Sequence, residues 1–131
     1  MTGVDSNVFI YIVEDHPEFS AAAKQALIKT VRAGDSVCVS SLVITEILSG
    51  TSNMSALELL KASRTVVYDF TKDIAVVAGN LRRQHPGLKT PDAIHVATAI
   101  MAGASHFITN DKKLLKFDVG IGMVPLVNFA D

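Results

Sequence analysis

Apolar positions along the chain change period again and again. Short runs of β-branched residues give way to stretches in which apolar residues recur every three or four positions. This pattern predicts a first strand over Thr2 to Asp5 and a short helix from Asn7 to Val13, broken near His16-Pro17. Pro17 suits the first turn of a following helix, whose alanine-rich body EFSAAAKQALIKTVRAG ends at Gly34. SVCVS reads as a second strand, after which Ser40 or Ser41 can cap the helix LVITEILSG, stopped by Gly50. SALELLKAS predicts another helix and TVVYDF a third strand, rich in β-branched and aromatic residues. Thr71 can cap KDIAVVAGNLRRQH, which ends before Pro86-Gly87. In KTPDAIHVATAIMAGA, Thr90 is the expected N-cap, Pro91 the first helical position and Gly103 the end; apolar on most sides, this helix is expected to be buried. HFITN is a fourth strand and DKKLLKF a short helix. MVPLV is a fifth strand at a sheet edge, where Pro125 leaves no central ladder broken.

Strands that alternate with helices form a parallel sheet covered on both faces and joined by right-handed crossovers. With 131 residues, 49% of them apolar, and no linker, repeat or low-complexity tract, one domain over residues 1–131 is expected, an α/β fold with four to five parallel strands. In such sheets ligands bind outside the carboxyl ends of the strands, so chemistry is to be sought there.

Composition narrows the choices. The net charge is −1, so any nucleic-acid binding must come from a local patch. The single cysteine, Cys38, stands in the apolar run VCV and is expected to be a buried thiol, in keeping with a reducing compartment. The acidic residues of the N-terminal stretch interrupt any signal-peptide core, and AIHVATAIMAGA falls short of a membrane span; a soluble cytoplasmic protein is expected.

Two acidic sites compete near the N-terminus. VEDHP, holding Glu14 and Asp15, resembles the opening of receiver domains, but the aspartate and the lysine that a receiver needs further on are missing. Glu14 and Asp15 are then expected in a loop or at the start of the next helix, where negative charge complements the helix dipole. Asp5, at the end of the first strand, has other company. Asp111 directly follows the fourth strand, Asp92 lies in the first turn of a helix, and Glu46 lies in the helix after the second strand. Each has an ordinary alternative: a turn residue for Asp5, a solvated helix face shared with Thr45 and Ser49 for Glu46, a helix N-terminus for Asp92, a cap for Asp111.

Taken in order, VDSNVFI, SSLVITEIL, TPDAIHVATA and FITNDKKL resemble the motifs of PIN-domain ribonucleases, and within them the small VapC-type toxins of toxin–antitoxin pairs. The resemblance covers nearly the whole chain, and TPDAIHVATA is its most specific part. Ser6 stands where threonine is common, and Leu114 or Leu115 where many members carry phenylalanine. The resemblance implies a three-layer α/β/α domain and a catalytic set of Asp5, Glu46, Asp92 and Asp111. It also implies an endoribonuclease with a VapB-type antitoxin as partner, and a homodimer. Clustered carboxylates without cysteine or a histidine pair favour a hard cation, Mg2+ or Mn2+, held by Asp5, Asp92 and Asp111 with Glu46 as a direct or water-mediated ligand. Such ions activate water for in-line attack, which leaves a 5′-phosphate and a 3′-hydroxyl. The different-class alternative is a PIN-like module that binds RNA or protein without cutting.

Around the acids, Ser6, Asn7, Thr109 and Asn110 can supply hydrogen bonds that fix the carboxylates, although Asn7 can equally cap the short helix after it. Arg82, Arg83 and Lys89 precede Asp92, while Lys112, Lys113 and Lys116 follow Asp111; both groups can contact RNA phosphates or simply form solvated faces. His95 is expected to be a core histidine with its polar atoms satisfied rather than a metal ligand.

Overall fold

Every strand is short and nearly every strand residue in the middle of the sheet is buried, the mark of a sheet covered on both sides. In the computed structural model, which describes residues 1–130, β1 (Thr2–Val4), β2 (Val37–Ser40), β3 (Thr65–Tyr68), β4 (His106–Thr109) and β5 (Gly122–Pro125) form one parallel sheet in the order β3-β2-β1-β4-β5. The helices are α1 (Ser6–Val13), α2 (Ser20–Arg32), α3 (Leu42–Ser49), α4 (Glu58–Ala62), α5 (Lys72–Gln84) and α6 (Thr90–Met101). Alternation along each strand divides two cores. Val4, Val37, Val39 and Ile108 meet α1 to α4 on one face, with Phe9, Ala23 and Leu27. Cys38 and Phe107 meet α5 and α6 on the other, with Ile74, Leu81 and Val96. Cys38 is the buried thiol expected, pushed up to about 11 by burial.

Gly3 sets the spacing on the second face. A Cβ there would lie 2.5 Å from Ala99 Cβ and 2.9 Å from Phe107 Cδ1. Only a hydrogen side chain lets α6 lie this close to β1, and α6 is buried from Ala93 to Ala99 as a result.

Several expected boundaries move, each for a local reason. Asp5 falls just past β1 and is the N-cap of α1, so Asn7 is not that cap. Glu14 and Asp15 lie in the loop after α1, one of the two places expected, and do not begin a helix: Glu14 is the C-cap of α1, and Asp15 takes a left-handed φ of 50° that stops it. Pro17 stays in a turn, and α2 begins only at Ser20, because His16 Nδ1 accepts from the backbone N–H groups of Glu18 and Phe19 and holds that turn. Ser40 Oγ accepts from Leu42 N, whereas Ser41, at the N-cap of α3, accepts from Phe70 N and ties α3 to the chain after β3. Thr71 caps α5 through Ile74 N, as expected. Thr90 is already helical; Lys89 occupies the N-cap without a side-chain bond, and Pro91 follows in the first turn. DKKLLKF yields only a 3-10 turn at Leu114–Lys116.

Candidate active site

The sheet order changes direction at β1. From there β2 and β3 lie to one side and β4 and β5 to the other, so the chain leaves β1 and β4 into a crevice at their carboxyl ends. Asp5 follows β1 there, and Thr109 ends β4 there. Asp5 N donates to Ile108 O at 2.9 Å, which locks the position of the residue. Asp5 is 4% exposed, and its carboxylate accepts from Ser6 N at 2.8 Å and from Thr109 Oγ1 at 2.7 Å. The same Thr109 hydroxyl accepts from Asp111 N at 3.0 Å. One fully buried hydroxyl thus links two acids that stand 106 positions apart in the chain.

α3 and α6 bring in the others. Glu46 Oε2 accepts from Ser6 Oγ at 3.1 Å, and Glu46 Oε1 pairs with His95 Nε2 at 2.5 Å. Asp92 sits one turn before His95 on α6, near enough to feel the charges of Asp5, Asp111, His95 and Glu46. Its carboxyl is pushed up to about 6, first by burial and then by Asp5 and Asp111. Burial also raises Asp5 against the opposing pull of His95, Thr109 and Ser6. Glu46 is pulled below its usual range: burial acts upward, but the bond and charge of His95, with Ser6, outweigh it. His95 is raised for the converse reason, its burial being outweighed by the Glu46 bond and the Asp5, Glu46 and Asp92 charges.

All four expected acids therefore belong to one electrostatic cluster, although Asp111 is also occupied locally. Its Oδ1 accepts from Lys113 N at 2.9 Å and Leu114 N at 3.3 Å, shaping the turn after β4. Ser6 and Thr109 touch the carboxylates directly. Asn110 does not; its Nδ2 donates to Tyr11 Oη at 2.9 Å and braces the turn against α1. Asn7 Oδ1 is buried without a hydrogen-bond partner among the described residues. Arg82, Arg83, Lys89, Lys112 and Lys113 are exposed, and Arg82 Nε donates to Leu88 O at 2.9 Å, bracing the connection between α5 and α6.

His95 is the residue that sequence reasoning undervalued. It is buried, as expected, but Nδ1 has no partner among the described residues and Nε2 binds a site carboxylate, so its polar atoms are not satisfied within the core. The available signal was its place three positions after Asp92, which puts both on one helix face.

The PIN-domain family model matches residues 4–120. The chain belongs to the PIN-domain family. Among solved structures, this PIN domain is similar to a chain of VapBC2 from Rickettsia felis bound to a promoter DNA fragment, with 20% identity, a TM-score of 0.74, and coverage of 95% of this chain and 97% of that one. It is also similar to a chain of a toxin–antitoxin complex from Klebsiella pneumoniae, with 26% identity, a TM-score of 0.67, and coverage of 94% and 95%. A third likeness is to DNA-bound VapBC from Salmonella typhimurium, with 19% identity, a TM-score of 0.69, and coverage of 95% and 97%. No curated protein sequence matches the chain. No helix among the described residues is long and apolar enough to cross a membrane.

Proposed function

We propose that this PIN domain is a metal-dependent endoribonuclease and the toxin of a toxin–antitoxin pair. The observation that carries the reading is that Asp5, Glu46, Asp92 and Asp111, from four distant segments, meet in one cluster at the switch point of the sheet, where burial and the charges of Asp5 and Asp111 push the Asp92 carboxyl up to about 6. Acids that disfavour one another's charge in this way are stabilised together by a cation. The donor chemistry fits a hard ion, since the cluster offers the carboxylate oxygens of Asp5, Asp92, Asp111 and Glu46. Among the described residues no three His, Cys, Asp or Glu side chains close into a ligand cage.

Asp5, Asp92 and Asp111 would hold the cation, with Glu46 beside them. A divalent cation bound there supplies charge that polarises a phosphodiester and activates water. The chain's own residues do the positioning. Thr109 fixes the Asp5 rotamer and the backbone of Asp111 at once, and Ser6 spans Asp5 and Glu46. Lys112, Lys113 and Lys89 are exposed cations on the segments that carry Asp111 and Asp92, and Arg83 is exposed in the last turn of α5; all are suited to RNA phosphates. The likeness to toxin–antitoxin structures supports an antitoxin of VapB type as partner, and a homodimer is expected with it.

The test is cleavage of RNA by purified protein with Mg2+ or Mn2+. Activity that yields 5′-phosphate ends, disappears with chelator and disappears in Asp5→Asn and Asp92→Asn supports the reading. Folded protein inert with every divalent metal overturns it in favour of a binding module.

A further inference from the structure

Glu46 differs from the three aspartates in what holds it. Oε1 is bonded at 2.5 Å to His95 Nε2, and Oε2 accepts from Ser6 Oγ. The His95 side chain is 1% exposed, and Nδ1 has no partner among the described residues, so Glu46 is the one hydrogen-bonding anchor of a buried imidazole. Turning Glu46 away would leave that ring with two unpaired nitrogens, a cost that grows with burial. Asp92 stands at the other extreme: burial and neighbouring charges act on it, and no hydrogen bond from the described residues holds its carboxylate. Asp111 commits Oδ1 to two backbone N–H groups and leaves Oδ2 without a bond from the described residues. Asp5 accepts one ordinary bond per oxygen and lies in the middle of the cluster.

We infer that His95 is a positioning residue: with Ser6 it fixes the Glu46 carboxylate outside the coordination of the metal, so that Asp5, Asp92 and Asp111 bind the ion and Glu46 acts on water. His95 reaches the chemistry only through Glu46. It connects α6, which carries Asp92, to α3, which carries Glu46, and thereby sets the distance between the metal-holding side and the water-orienting side of the crevice. The assignment rests on the nuclease reading above.

Its test separates metal binding from turnover. Mn2+ alone is titrated calorimetrically into wild type, Glu46→Gln, His95→Ala, His95→Gln and Asp92→Asn, with far-UV circular dichroism to establish folding, and kcat and KM for RNA cleavage are measured on the same samples. In Glu46→Gln and His95→Ala the Mn2+ affinity should stay within about threefold of wild type while kcat falls about 10–100-fold at nearly constant KM. His95→Gln, which retains a donor near the Nε2 position, should recover much of kcat; it also serves if His95→Ala does not fold. Asp92→Asn should lose Mn2+ binding. A loss of Mn2+ affinity of about tenfold or more in Glu46→Gln, comparable to that expected of an outright ligand, overturns the inference. So does wild-type kcat in His95→Gln and His95→Ala together. Wild type that neither binds Mn2+ nor cleaves RNA overturns the nuclease reading itself, a result distinct from either of these.

Discussion

Gly3→Ala is the smallest change that should separate the halves of the site. The added methyl would meet Ala99 Cβ at 2.5 Å and Phe107 Cδ1 at 2.9 Å, well inside carbon contact distance. β1 cannot retreat, because it is paired on both sides, to β2 and to β4. The strain must therefore move α6, and with it Asp92 and His95, away from Asp5. Overpacking of this kind costs ~1–3 kcal/mol, and a fixed central strand argues for the upper end. For a domain of this size that corresponds to a fall of about 10 °C in the thermal midpoint. Ala99→Gly alone should cost ~1–2 kcal/mol, from helix propensity and one lost methyl. The pair is decisive, because removing the Ala99 methyl removes the shorter clash and leaves only a ring edge that can tilt. Urea unfolding followed by circular dichroism should show Gly3→Ala/Ala99→Gly at least as stable as Gly3→Ala. If the double variant instead loses the sum of the two single costs, the close approach of β1 and α6 does not limit this packing and the reasoning fails.

In metal-free protein with chelator, Asp92 opposes folding once ionised. Its folded value of about 6 lies above the ordinary 3.8, so the native state holds the proton longer, and stability should fall as pH rises from about 4 to 6 and then level off. Asp92→Asn should abolish that fall and gain ~1–2 kcal/mol at pH 7 in urea titrations, solvent screening at this half-buried carboxyl keeping the gain below the full value of the shift; unchanged pH dependence would refute the cause given. Thr109→Val keeps the shape but strips two bonds at a fully buried position, and should cost ~1–3 kcal/mol in the same assay, with a cost near zero counting against the shared hydroxyl. Asp35, lowered by its bonds to the N-terminal ammonium and to Thr2, adds stability that is present above its ordinary value and lost as pH falls through its lower folded value. Asp35→Asn should erase this acid-side component, and a stability curve below pH 4 that matches wild type would exclude it.

Local pattern was enough for the order of elements. The period of apolar residues, the Thr71 cap and Pro125 at an edge are each decided within a few positions of chain; α5 forms where it was expected, and β5 forms at the expected edge over Gly122–Pro125, with Leu126 and Val127 turning into a 3-10 helix instead of extending it. The four acids were legible because each stands in a stretch of family text, but text carries no distances. The start of the helix expected at Pro17 falls later, at Ser20, because the His16 side chain competes with the helix for the backbone N–H groups of Glu18 and Phe19. The sequence by itself determined an α/β chain and the identity of its acids, since periodicity and residue type are local properties. Tertiary structure alone decided that Thr109 serves Asp5 and that His95 engages Glu46 rather than the core, because burial and pairing depend on which distant segments the sheet order brings to one crevice.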